Sequence, residues 1–140
     1  MPTRSAEATW NGSLKNGEGS VALESGAFEG PYSFASRFED ANETNPEELI
    51  GAAHAGCFAM ALSLELGDAG YEPERLDAEA QVHLDPDALA ITRVDLTVEG
   101  TVPDVDEDVF LDIAEGAKEG CPVSKALAGT DIGLTATLIE

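Results

Sequence analysis

The stretch from Asn45 to about Gly67 or Gly70 constrains this chain more than any other. Asn45-Pro46-Glu47-Glu48 is a helix start with a physical reason at each place. Asparagine serves as N-cap, proline fits the first helical position, and the two carboxylates lie at the positive end of the helix dipole. The middle of the segment, GAAHAGCFAMALSL, is apolar nearly all round, and such a helix must be covered on every side. One antiparallel sheet covers one side only. The other side needs further helices or a second subunit, and Gly51, Ala52, Ala55 and Gly56 are small enough to let another backbone approach closely. The apolar run from Leu49 to Leu64 is short of a bilayer crossing, holds His54 and is flanked by Glu47, Glu48 and Glu65. It reads as the buried helix of a soluble protein.

Alternating patterns on either side of this helix predict strands. Ala6, Ala8 and Trp10 mark a first strand and Val21 and Leu23 a second, joined through Asn16-Gly17, a dipeptide that accepts the positive φ of a tight hairpin. A third strand is expected after Gly30-Pro31, with Tyr32, Phe34, Ser36 and Phe38 on one face. Arg37 would then point away from those aromatics. Beyond Pro73, Leu76, Ala78, Ala80, Val82 and Leu84 alternate with Asp77, Glu79, Gln81 and His83. A strand from about Ala90 to Val102 follows the Asp85-Pro86 turn. A helix from about Asp106 to Glu119 comes next, with Val109, Phe110, Ile113, Ala114 and Ala117 as its stripe and Gly120 as its stop. A short helix opens at Cys121-Pro122, and Ile132, Leu134, Ala136 and Leu138 mark a last strand. The order predicts an α+β fold, antiparallel sheets around a long buried central helix, in a single domain spanning 1–140.

Charge narrows the partners. The chain carries 28 acidic against 7 basic residues, a net charge of −21. Seven cations scattered from Arg4 to Lys125 make no basic stripe, which disfavours nucleic acid and anionic membrane surfaces. The acidic residues are spread along the chain and read as a solvated coat suited to a halophilic cytoplasm, where counterions screen their repulsion. MPTRSAEATW holds no apolar core of signal-peptide length, so a cytoplasmic location is expected. In that reducing compartment the two cysteines are free thiols at rest, either inert or a working redox pair.

Cys121 stands immediately before Pro122, in a first turn whose unpaired N–H groups favour a thiolate. Cys57 lies in mid-helix among Ala and Phe, where burial raises a thiol's pKa unless a cation is near. Arg37, just before the cysteine helix, is the candidate cation, and Glu47 or Glu48 could hold it by a bidentate contact. At about 100° per residue Glu47 is about 80° off the face of Cys57 and Glu48 about 180° off, which favours Glu47. Ten residues of helix nevertheless separate Glu47 from Cys57 by roughly 15 Å. Glu47 is therefore expected to serve the Cys57 of a second subunit. His54, one turn before Cys57, is expected to pack and donate a hydrogen bond, although a Cys-His hydrolase pair is a rival reading. His83 reads as solvated. Two cysteines 64 residues apart with no close His pair lack metal-site spacing.

The segments NPEELIGAAHAGCFAMALS (Asn45 to Ser63) and GCPVSKAL (Gly120 to Leu127), with VALESG and SRFE, resemble the osmotically inducible protein C and organic hydroperoxide resistance superfamily. The likeness extends over nearly the whole chain, with SRFE and the helix-borne Glu closer to the osmotically inducible branch. It implies an intertwined α+β homodimer with active sites at the subunit interface. It also implies Cys57 as peroxidatic nucleophile, Cys121 as resolving cysteine, Arg37 as the cation for the thiolate and Glu47 as the arginine's partner. The activity implied is thiol-dependent reduction of organic or fatty-acid hydroperoxides, without metal, flavin or haem, and with a dihydrolipoamide-type dithiol as reductant. Phe58 and Met60 are expected to give the nucleophile apolar surroundings. The alternative from another class is a non-enzymatic protein that holds a lipid-like ligand, its cysteines only packing.

Overall fold

The computed structural model describes residues 2–139, in two compact units, Met1–Leu49 and Ile50–Glu140. In the first, β1 (Ala6–Asn11), β2 (Glu18–Leu23) and β3 (Glu29–Tyr32) form an antiparallel sheet in that order. The β1–β2 connection is not the tight Asn16-Gly17 turn. Its left-handed residue is Gly12, at φ +97°, and residues 12–17 form a wider loop. Gly17 is needed for space instead, because a Cβ there would run into the carbonyls of Asn11 and Ser13.

The third strand also stops early. After Tyr32 the chain enters α1 (Phe34–Phe38), so Arg37 is on a helix and not on a strand. Ser33 ends the strand through a reciprocal cap. Its Oγ accepts the Ser36 N–H at 3.1 Å, while Ser36 Oγ accepts the Ser33 N–H at 2.8 Å. The sequence pattern is ambiguous here because Phe34 and Phe38 are four apart, a spacing that fits both an alternating strand and a helical turn. As helical neighbours their rings pack at 5.0 Å.

Helix α2 (Pro46–Asp68) starts as its residues dictate, with Asn45 Oδ1 accepting the Glu48 N–H at 2.8 Å. It ends in a Schellman motif on Gly70, at φ +93°. There the Tyr71 N–H reaches Leu66 O at 2.8 Å and the Gly70 N–H reaches Gly67 O at 3.0 Å. At 23 residues it is long and apolar enough to span a bilayer, so length alone does not exclude that reading. Its burial pattern is that of a core helix. Gly51, His54, Phe58, Leu62 and Leu66, spaced three or four apart, form a buried face. Ala52, Ala53, Gly56, Met60 and Leu64 are exposed, so cover on every side is not achieved within one chain.

In the second unit the buried face of α2 packs in one core with Val94, Leu96 and Val98 of the sheet and Phe110, Ala114 and Ala117 of α3 (Glu107–Gly120). The sheet comprises β4 (Arg75–Asp85), β5 (Ala90–Thr101) and β6 (Asp131–Leu138), in that order. Along β4 the predicted alternation holds, with Leu76 to Leu84 turned inward and Asp77 to His83 outward. The expectation of purely antiparallel sheets fails at β5–β6, a parallel pair. Parallel strands need a long crossover, which α3 and α4 (Pro122–Ala126) supply. Gly120 is the last residue of α3, but it does not stop the helix by a left-handed turn. Cys121, extended at φ −63° and ψ 125°, does so, because the following Pro122 disfavours helical backbone in its predecessor.

Candidate active site

Cys121 caps both α3 and α4, and that junction is what brings its side chain to α2. Its Sγ lies 2.9 Å from Cys57 Sγ, across 64 residues of sequence, and both cysteines are free thiols. Cys121 is fully buried and Cys57 partly so. Burial pushes the Cys57 thiol up, and its hydrogen bond to Cys121 adds to this against the opposing Val123 N–H. Burial also acts upward on Cys121, but there the neighbouring Cys57, Ser124 and Val123 groups outweigh it. The Cys121 thiol therefore lies below its ordinary value. At five residues α4 is too short for a sizeable dipole, so these neighbouring groups replace the dipole as the cause.

Arg37 and Glu47 form a second pair, within the first unit. Arg37 Nε donates to Glu47 Oε1 at 3.2 Å, and Nη2 stands 3.2 Å from Oε2. Glu47 is buried and Arg37 partly exposed, while Glu48 is exposed. The structure thus joins the arginine to the carboxylate that helix geometry favoured. Arg37 does not turn away from the aromatics as a strand would have it: its guanidinium lies 5.5 Å from the centre of the Phe38 ring. With Trp10, Leu14, Tyr32, Phe34 and Phe38 it lines a cup of about 220 Å³. The alternating pattern of a strand gives no sign of this cup, which forms because Phe34–Phe38 is a helix.

His54 is fully buried, and its Nε2 lies 2.7 Å from Ser124 Oγ rather than on a sulfur, so no Cys-His pair forms. Burial holds its pKa below the ordinary imidazole value, and the ring is neutral. Ser124, three residues after Cys121 in the sequence, is thereby the partner of His54. Phe58 is wholly in the core and Met60 is 77% exposed, so neither surrounds the cysteine in the way expected. His83 is not simply solvated, since its Nε2 lies 2.9 Å from Asp95 Oδ2, which also holds Arg93. Among the described residues no group of three or more His, Cys, Asp or Glu is placed to hold a metal ion.

Two free thiols 2.9 Å apart are close enough to be joined as a disulfide with little movement. Residues 39–135 match the family described as OsmC-like protein. The chain is 51% identical over 127 residues to Peroxiredoxin OsmC of Escherichia coli, covering 89% of each. Among solved structures, the organic hydroperoxide resistance protein OhrB of Bacillus subtilis superposes with a TM-score of 0.67 at 25% identity, over 96% of this chain and 98% of that one. An organic hydroperoxide resistance protein of Elizabethkingia anophelis gives 0.76 at 24% identity, over 99% and 98%. The chain belongs to the OsmC-like protein family and is, by that kinship, a thiol-dependent peroxidase that works by cysteine chemistry without a prosthetic cofactor.

Proposed function

We propose that the protein reduces organic hydroperoxides, with Cys57 as the peroxidatic nucleophile and Cys121 as the resolving cysteine. The observation that carries this reading is the 2.9 Å approach of the two sulfurs, which lets a disulfide close with little movement. Cys57 thiolate attacks the terminal peroxide oxygen, the O–O bond breaks, and the alkoxide takes a proton to leave as the alcohol. Cys57 is then a sulfenic acid, which Cys121 converts to the disulfide with loss of water. An external dithiol of the dihydrolipoamide type restores both thiols. Arg37, oriented by Glu47, is the cation that offsets the burial of Cys57 and stabilises charge on the breaking O–O bond. The aromatic cup beside Arg37 supports a substrate with an apolar body over hydrogen peroxide.

Mass spectrometry after one equivalent of cumene hydroperoxide tests the scheme. The expected result is a loss of two hydrogens, located at Cys57 and Cys121 and reversed by dihydrolipoamide. Unmodified thiols would overturn the peroxidase mechanism and favour a packing role for both cysteines. For the cation, Arg37→Lys keeps the charge but loses the two-point hold on Glu47, and kcat/KM is expected to fall about tenfold to a hundredfold. An unchanged value would remove Arg37 from the scheme.

We also propose a cytoplasmic homodimer in which the exposed face of α2, with Ala52, Gly56, Met60 and Leu64, is covered by a second subunit. The Arg37–Glu47 pair of one subunit then serves the cysteines of the other. A net charge of −21 opposes such association at low ionic strength and suits a salty cytoplasm. Light scattering should therefore show the dimer fraction and the specific activity rising together from millimolar to molar salt. A monomer of full activity throughout would exclude the shared site.

A further inference from the structure

The loop of residues 12–17 between β1 and β2 has no role in the scheme above, yet three hydrogen bonds fix its shape. The Trp10 Nε1–H donates to Gly12 O at 3.1 Å, the Gly17 N–H to Ser13 O at 2.7 Å and the Asn16 N–H to Ser13 Oγ at 3.3 Å. Held this way, the loop turns Leu14 into the wall of the aromatic cup and carries Lys15 over Phe34, with Nζ 6.0 Å from the ring centre. Lys15 is exposed, and a lysine so placed lays its stem on apolar surface while its ammonium stays in water. Among the described residues Arg37, Arg75, Arg93 and Lys118 each hold a carboxylate, but Lys15 holds none. Glu47 is taken up by Arg37, and Glu43 accepts the Ser33 hydroxyl at 2.6 Å. The positive charge left free beside the aromatic walls is therefore that of Lys15.

We propose that Lys15 is a specificity residue: it takes the carboxylate of an amphiphilic hydroperoxide whose alkyl segment lies in the cup, and so favours hydroperoxides with an acid group over their neutral esters. The inference rests on the reading of the cup as the place of the substrate's apolar body. At about 220 Å³ the cup is smaller than the roughly 300–1,000 Å³ usual for a whole ligand, and it holds one segment of an alkyl chain. The rest of such a chain, with its polar end, must lie along the rim, where Lys15 stands. A protein of net charge −21 repels anions at long range, so an anionic ligand depends on a local cation where it binds. No bond is made or broken at Lys15. It contributes equally to ground-state and transition-state binding, and its effect falls on KM and not on kcat.

Trp10, the single tryptophan of the chain, lines the cup and reports its occupation by fluorescence. The full-length protein is titrated with decanoate and with decanol at about 0.15 M salt, where charges more than about 8 Å apart are largely screened. Lys15→Gln should lower the ratio of decanoate to decanol affinity about threefold to fivefold, the upper range for an ion pair open to solvent. Lys15→Arg, which keeps the charge, should hold the ratio near that of the parent. Arg4→Gln removes the same charge beyond the far end of β1 and should not lower the ratio. In turnover, linoleic acid hydroperoxide and its methyl ester replace the two ligands, and the acid-to-ester ratio of kcat/KM should fall in Lys15→Gln by a similar factor, through KM. An unchanged affinity ratio in Lys15→Gln, an equal fall in Arg4→Gln, or no binding of decanoate to the parent would overturn the proposal. If the parent turns over neither hydroperoxide, the peroxidase reading fails, while the fluorescence titration still decides whether Lys15 holds a carboxylate.

Discussion

Cys57→Ser is expected to abolish turnover of cumene hydroperoxide, with kcat/KM falling by about a thousandfold or more, the scale on which losing a nucleophile acts. A serine hydroxyl of the same size stays protonated where a thiol ionises, so packing is preserved while the attacking group is removed. Cys121→Ser should behave differently. The first equivalent of peroxide should still be consumed, after which the Cys57 sulfenic acid has no internal partner and proceeds to the sulfinic acid with excess oxidant. Peroxide consumption in a dithiol-coupled assay, read beside the intact mass of each variant, distinguishes the two. Normal consumption by Cys57→Ser would end the assignment. A Cys121→Ser variant that cycles as fast as the parent would show that the external dithiol resolves Cys57 directly.

The second large effect concerns stability. Phe58 is fully buried against the sheet and α3, and Phe58→Ala removes a ring from a closed core, at a cost of about 3–5 kcal/mol. Against a total stability of about 5–15 kcal/mol, that is a large part of the margin. Met60, two residues further along the same helix, is 77% exposed in the single chain. Its replacement by alanine should move the unfolding free energy of the dissociated chain by no more than about 0.5 kcal/mol and act instead on self-association. Urea unfolding at several protein concentrations checks both. Equal midpoint shifts for the two variants at low concentration would contradict the division of α2 into a buried and an open face.

Much of this architecture was legible in the residues because the decisive signals were local. Asn45-Pro46 starts α2, the alternation from Leu76 to Leu84 orients β4, and Cys121-Pro122 separates α3 from α4. Each depends on backbone geometry within a few residues. Where the reading went astray, two structures shared one local pattern. Phe34 and Phe38 fit a strand and a helix equally, and the paired serines at 33 and 36 decided the matter through reciprocal caps. The parallel pairing of β6 left no mark on its own alternation, since a strand turns the same face inward whichever way its neighbour runs.

The order of residues already set the chemical parts of this protein: two cysteines, one of them at a helix junction before a proline, and one arginine with a carboxylate on the correct side of a helix to receive it. It also determined that the cysteine helix has more apolar surface than a single sheet can cover. Packing alone brings Cys57 against Cys121, His54 against Ser124, and Arg37 into an aromatic cup. Residue type and helical phase limit which chemistry is available. Contacts across 64 and 70 residues depend on how the core of α2, α3 and the sheet closes, and that is a property of the packed chain as a whole.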